Sequence, residues 1–302
     1  MKLKEWSAFW LLGLIWGSSF LWIKIAVASM GPLLVAALRL GIGLLGLLAV
    51  MAVVRQPLPR GRRTLLTYLV LGALQSAAPF ALIAWGETKI DSGLAAILNG
   101  TMPLFTILIA HFWLHDERIT PTRFLGLVVG FGGVVILGSR DLGPEGLHGT
   151  AWGQAALLAA TISYAIAAIF SRRHLREEPP LVQATMTVLV GDMLLWASVG
   201  LAERPIHLSL TTLPWIALAW LGLLGSSVAY LLYFYLIRVW GATRASLVTY
   251  VFPVIGLVLG ITFLGERTDW RLLLGSLLVL AGIVTVNRRP APGRDPAFSR
   301  AG

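Results

Sequence analysis

The sequence predicts an all-α membrane protein: ten transmembrane helices arranged as two inverted five-helix repeats. Composition, the spacing of apolar runs and an internal repeat carry that prediction. Hydrophobic residues make up 57% of the 302 positions and charged residues only 13%, with mean hydropathy +0.80. A soluble domain carries about 25% charged residues because its surface faces water, so most of this surface must face lipid. The 12 Trp and 32 Gly point the same way, since both suit membrane helices. A spanning helix takes about 20 mostly apolar residues, so ten use roughly 200. Only short connections remain, with no room for an extramembrane catalytic domain.

The apolar runs fall at about 6–28, 32–54, 64–85, 91–113 and 122–139, then 150–171, 180–202, 212–236, 242–263 and 268–287. The third and fourth are divided mainly by Glu87, Lys89 and Asp91. With the N-terminus in the cytoplasm, 17 basic residues fall on the cytoplasmic side and 5 on the other, while Lys24 and Arg39 lie inside spans. That bias places both termini inside. The net charge of +10 is therefore a record of topology; the basic residues lie between apolar spans, not on one face, which argues against a nucleic-acid partner. Residues 1–28 have the basic start and Ala26-Val27-Ala28 ending of a signal peptide. Their apolar stretch exceeds the usual 7–15 residues, so they are expected to stay as the first helix. The absence of cysteine excludes disulfides and thiol chemistry.

Displacing the chain by 150 residues pairs Gly72 with Gly222, Ser76 with Ser226, Phe80 with Tyr230, Ala95 with Ala245 and Pro103 with Pro253. A shift of 149 pairs Glu117-Arg118 with Glu266-Arg267, Gly126 with Gly275 and Gly133 with Gly282; a shift of 148 pairs Pro32 with Pro180 and Trp16 with Tyr164. The matches keep their order with one-residue slips. The expected divisions are a first repeat at 1–141, a second at 142–290 and a cytoplasmic tail at 291–302. Because five is odd, the second repeat enters the membrane from the opposite side. Inverted repeats are the architecture of many secondary transporters.

Trp16-Gly17-Ser18-Ser19-Phe20 with Pro32 and Arg39 resembles the opening of an EamA-type unit. So do the runs from Pro103 to Leu114 and Glu117-Arg118, and from Pro253 to Leu264-Gly265-Glu266-Arg267, followed by Gly126/Gly133 and Gly275/Gly282. The chain is thus similar to the EamA family of the drug/metabolite transporter superfamily up to about residue 290. The first half departs from the second in having His115-Asp116 where the second has Gly265 alone. The resemblance implies a multi-pass protein of the bacterial inner membrane that exports amino acids or related metabolites. A YddG-like branch of the family exports aromatic amino acids. It also implies a cavity lined by spans 1, 3, 4, 6, 8 and 9.

Candidate residues follow from the cost of polar groups in lipid. The expected substrate lining is Trp16, Ser19, Gln75, Ser76, Phe80, Asn99, Tyr164, Ser226, Tyr230, Tyr233 and Thr249. Asn99 and Thr249 each precede a span proline by four residues, and a proline frees the carbonyl one turn upstream, which could accept a substrate amine. The rings of Trp16, Tyr164 and Trp85 suit an aromatic or cationic cargo; for each of these residues, helix packing is the competing reading. Arg39 stands roughly 10 Å inside span 2, where it would meet a substrate carboxylate or tie neighbouring carbonyls together. Asp192 is the one carboxylate deep inside a span; it would carry a proton, bind an amine, pair with Arg39 or face a watery crevice. Lys24, near the far end of its span, is expected to snorkel to the interface.

Other motifs are set aside. Gly41-Ile42-Gly43-Leu44-Leu45-Gly46 fits G-x-G-x-x-G but follows no strand, so it is no dinucleotide loop. Gly13/Gly17, Gly126/Gly130 and Gly256/Gly260 read as close helix packing. His111 and His115 lack the Glu of a zinc-protease motif. No His lies mid-span beside a Ser, which argues against an intramembrane hydrolase, and no Walker A run is present. The expectation is a protein that is not an enzyme, takes no cofactor and no metal, and has a small-molecule substrate and the lipid bilayer as partners. A channel-like facilitator and an exporter of cationic drugs or other metabolites are the competing readings.

Overall fold

The computed structural model describes residues 3–59, 61–113, 119–139, 142–143, 146–147, 149–175, 177–240 and 246–287. Expectations on Leu114 to Arg118, including His115, on residues 241–245 and on the tail from 288 lie outside them. The first half comprises α1 (Leu3–Val27), α2 (Pro32–Val54), α3 (Arg62–Glu87), α4 (Ser92–Trp113) and α5 (Pro121–Gly138). A two-residue antiparallel ladder, β1 (Leu142–Gly143) with β2 (Gly146–Leu147), links it to the second half. There follow α6 (Gly149–His174), α7 (Pro180–Ala202), α8, α9 (Val251–Leu264) and α10 (Trp270–Val286). Helix α8 is continuous through Thr212–Ala219, Trp220–Val228 and Ala229–Trp240. Eight of these helices are long and apolar enough to cross a bilayer, and Val248–Leu264 and Trp270–Val286 are shorter. The 17 residues of α10 span roughly 26 Å, close to the ~30 Å hydrocarbon thickness.

Local chemistry sets the boundaries. Pro32, Pro121 and Pro180 open their helices, where a missing N–H costs nothing. Thr120 accepts a hydrogen bond from Arg123 N, and Asp269 Oδ1 accepts one from Leu272 N, capping α5 and α10. Gly265, at φ +65°, adopts the left-handed geometry that ends α9 and lets Glu266 N bond back to Gly260 O. The ninth helix starts later than the apolar run suggests. A 3₁₀ turn over Ser246–Tyr250 precedes it, because Pro253 cannot donate to the carbonyl four residues earlier. The same cause breaks α4 at Thr101, just before Pro103.

The helix pairs obey a two-fold relation. α5 packs on α10, α4 on α9 and α2 on α7; the α1–α9 pair is matched by α6–α4, α3–α6 by α8–α1, and α2–α8 by α7–α3. The glycines carry it at atomic scale. A Cβ on Gly126 would sit 2.9 Å from Gly282 O, and its mirror contact places a Cβ on Gly275 3.0 Å from Gly133 O. A Cβ on Gly72 would lie 2.6 Å from Val190 Cγ1, and one on Gly222 2.5 Å from the Cβ and Cγ2 of Ile42. In each case the backbones approach too closely for a side chain, so these faces pack without an aqueous hydrophobic drive. The outward faces keep large apolar groups exposed, such as Leu125, Val128 and Val135 on α5 and Leu273, Leu277 and Val284 on α10. A surface of that kind is stable against lipid and not against water.

Both α3 and α8 contain a π-helical stretch, over Ala73–Ala77 and Trp220–Val228. Ser76 and Ser226 stand in them at repeat-equivalent positions. Such over-wide turns shift side-chain register locally and are frequent at functional sites.

Candidate substrate-binding site

The cluster is built around Arg39. About two turns into α2, its side chain is buried inside the bundle, where a cation in lipid demands partners. It stacks on Phe80 of α3, with the guanidinium carbon 4.6 Å from the ring centroid. Its Nε donates to Ser226 Oγ of α8 at 3.4 Å. Tyr164 of α6 and Tyr230 of α8 lie within its electrostatic reach. None of these partners is a carboxylate, so the cation is held by a ring and by hydroxyls.

An aromatic wall adjoins it. Trp16 of α1 donates through Nε1 to Gly225 O at 3.0 Å. Its ring meets those of Tyr230, Tyr233 and Phe252 at centroid distances of 6.1, 5.3 and 5.9 Å. Gly225 leaves a gap between wall and cation: a Cβ there would find both Arg39 Nη2 and Ser19 Oγ at 3.4 Å. Ser19 itself donates to Ile15 O. The site is therefore a cation, five hydroxyl-bearing side chains and rings packed edge-on or tilted, drawn from α1, α2, α3, α6, α8 and α9. Such a set offers charge to an anion and ring faces to an apolar group.

Eight of the expected residues meet here: Trp16, Ser19, Arg39, Phe80, Tyr164, Ser226, Tyr230 and Tyr233. Others are placed elsewhere. Ser76 is fully buried against Gly191, the mirror of Ser226 against Gly43, and its Oγ has no partner. Gln75 is partly exposed on α3. Asn99 lies at the α4 break with Oδ1 buried and unpartnered, and Thr249 presents its carbonyl toward Gly100. The carbonyl occupied at that break is that of Leu98, which accepts from Thr101 Oγ1 at 2.6 Å and from Thr161 Oγ1.

Asp192 does not join Arg39. It faces Gly41 of α2, whose Cβ would lie 3.6 Å from Asp192 Oδ1, and residues two apart on a helix point to different faces. Trp85 stays at the periphery, 39% exposed with the Lys89 ammonium 5.0 Å above its ring. Lys24 Nζ donates to Glu87 O and Ile90 O, each at 2.7 Å. His111 has a structural role, its Nδ1 accepting from Ile119 N, and among the described residues no group of three His, Cys, Asp or Glu is placed to hold a metal.

Two participants, and one buried acid outside the cluster, escaped the sequence reading. Phe252 carries only the signal of preceding Pro253, and Gly225 looks like one more helix glycine. Glu87 sits at a span end in the sequence, yet it is 0% exposed. Its burial depends on Gly86, where α6 approaches until a Cβ would lie 3.0 Å from Gly153 O.

Comparison with known proteins follows from this geometry. Residues 5–139 and 151–288 each match the EamA-like transporter family. An uncharacterized inner membrane transporter of Escherichia coli (strain K12), YedA, is 30% identical over 95% of this chain and 92% of its own. An uncharacterized transporter of Bacillus subtilis (strain 168), YoaV, is 27% identical over 89% of this chain and 92% of its own. A protein crystal structure 19% identical in sequence superposes with TM-score 0.65, covering 94% of this chain and 96% of the other, which shows the fold.

Proposed function

The chain belongs to the EamA-like transporter family, and we propose that it is a secondary exporter of small amphiphilic metabolites, amino acids foremost and aromatic ones in particular. It is a multi-pass membrane transporter and not an enzyme; cargo, direction and orientation are the proposed part. The observation that carries the reading is Arg39, buried and hydrogen-bonded to no carboxylate among the described residues, with the Glu87 charge acting only at longer range, between Phe80, Ser226 and the Trp16–Tyr233 wall. A substrate carboxylate would complete the guanidinium's bidentate hydrogen bonding. The rings would take an apolar side chain.

Two halves with mirrored packing can rock about this cluster, exposing it to one side and then the other. Export follows the family resemblance. The excess of basic residues at the sequence positions flanking the ends of α2, α6 and α10 and the starts of α1 and α3 supports a cytoplasmic location of both termini. Liposomes holding the purified protein test the reading: uptake of a labelled amino-acid panel is measured with and without a pH gradient. Uptake of an aromatic amino acid is expected, and Arg39→Gln should lower it at least about tenfold, roughly 1.4 kcal/mol of lost recognition. Failure of every amino acid to move, or full activity of Arg39→Gln, would overturn it.

A further inference from the structure

Glu87 is unexplained by the site above. It is the last residue of α3, it is fully buried, and neither carboxylate oxygen has a hydrogen-bond partner. Its surroundings come from several elements. From α1, the charge of Lys24 acts on Glu87, while two of its three ammonium donors go to the carbonyls of Glu87 and Ile90. From α2, Arg39 acts at longer range, and α6 presents the apolar Ala156 and Leu157 beside Gly86. Asp91 and Lys89 lie in the following turn, the latter over Trp85. Beyond α9 stands Glu266, whose charge acts on Glu87. Glu266 is occupied: its two oxygens accept from Ser92 N at 2.6 Å and Gly93 N at 3.0 Å, capping α4 of the opposite half.

These contacts lie at the end of the bundle opposite the chain termini, where they tie the two halves together. Glu203 at the end of α7 adds a second clasp, accepting from Leu33 N and Leu34 N at 2.8 Å each. Both clasps run from the second half to helix starts in the first, where they meet the positive end of a helix dipole. Glu87 lies behind them with no donor at all. An ionised carboxylate buried without a donor costs several kcal/mol, whereas a protonated one asks only for an acceptor.

We propose that Glu87 is a proton-binding site whose occupation is linked to closure of this face. The proposal rests on the alternating-access reading and adds a coupling to it. As the halves close, the Glu87 carboxylate takes a proton from hydronium on the open side, forming an O–H bond and releasing water. As Gly153 and Glu266 withdraw from α3 and α4, water reaches the carboxylate and takes the proton back. The closed state is thus favoured by acid on that side and opposed by base.

The chain has no cysteine, so a spin-label pair is introduced cleanly at Ser29→Cys and Thr268→Cys, exposed positions between α1 and α2 and between α9 and α10. Distances between the labels are measured in nanodiscs from about pH 5 to 9. The closed-to-open ratio should fall about tenfold per pH unit through one transition, the slope of a single linked proton. Glu87→Gln should hold the short distance at every pH, Glu87→Asp should restore a transition, and Asp192→Asn should titrate as the parent does. Distances that ignore pH in the parent, a Glu87→Gln variant that titrates normally, or a transition that follows sodium instead of pH would each overturn the proposal. The readout needs no substrate, so it stands or falls separately from the amino-acid assignment.

Discussion

The two halves of the bundle agree in their close-packed glycines and differ in three charged positions within or at the ends of spans. Gly72 meets Val190 as Gly222 meets Ile42, and Gly126 meets Gly282 as Gly133 meets Gly275. By contrast, Arg39 is matched by Thr187, Asp192 by Leu44, and Glu87 by Ile237. The duplicated contacts set backbone spacing, which both halves need if they are to exchange conformations. Two of the single-copy charges, Arg39 and Glu87, are those proposed above to bind substrate and proton. A scaffold is repeated, and chemistry is added once.

The strongest way to break this comparison is to fill the tightest duplicated contact. A Cβ on Gly282 would sit 2.5 Å from Gly130 Cα and N, backbone that cannot step aside. Gly282→Ala should cost about 3 kcal/mol or more, seen as loss of folded protein in thermal unfolding in detergent. Gly132→Ala, with nothing within 4 Å, should leave the melting temperature unchanged. Equal losses at both positions would mean that helix propensity, not close approach, is being measured.

A sharper test compares mirror partners. Gly72→Ala and Gly222→Ala should each destabilise by about 1–3 kcal/mol, and by similar amounts, because each meets a β-branched side chain at nearly the same distance. A large difference between the two would show that the repeat survives in sequence but not in energetics.

The smallest effect belongs to the asymmetric positions. Thr187 is buried with Oγ1 unpartnered, so Thr187→Val removes an unsatisfied hydroxyl at nearly constant volume. Stability should hold or rise by up to about 1 kcal/mol, and uptake should not change, in contrast to Arg39→Gln. Loss of transport in Thr187→Val would assign the second half a polar role that the comparison denies it.

Much of the fold was legible because lipid imposes a length on each helix and proline marks a helix start. The expected 32–54 and 180–202 spans coincide with α2 and α7, each opened by its proline. The late start of α9 was not legible, since a 3₁₀ turn leaves hydropathy unchanged. The site was half legible. Arg39, Phe80 and Trp16 stand out as polar or aromatic groups within apolar runs, but Ser76 and Ser226 look alike in sequence. Only their surroundings separate them, one hydroxyl facing packed backbone and the other an arginine. The carbonyl partners of Lys24 were not legible for a related reason, because helical rise gives depth but not which carbonyls lie nearby.

The sequence by itself determined the solvent, the number of helices and their inverted duplication. Each of these depends on local quantities: apolar run length, spacing of small residues and the parity of five. Tertiary structure alone decided which polar groups are satisfied. Glu203 and Glu266 found helix starts in the other half, while Glu87 was enclosed by the approach of Gly86 to Gly153 and found none. Burial of a charge and the presence of its partner are set by residues distant in the chain, and those distances exist only once the two halves have packed.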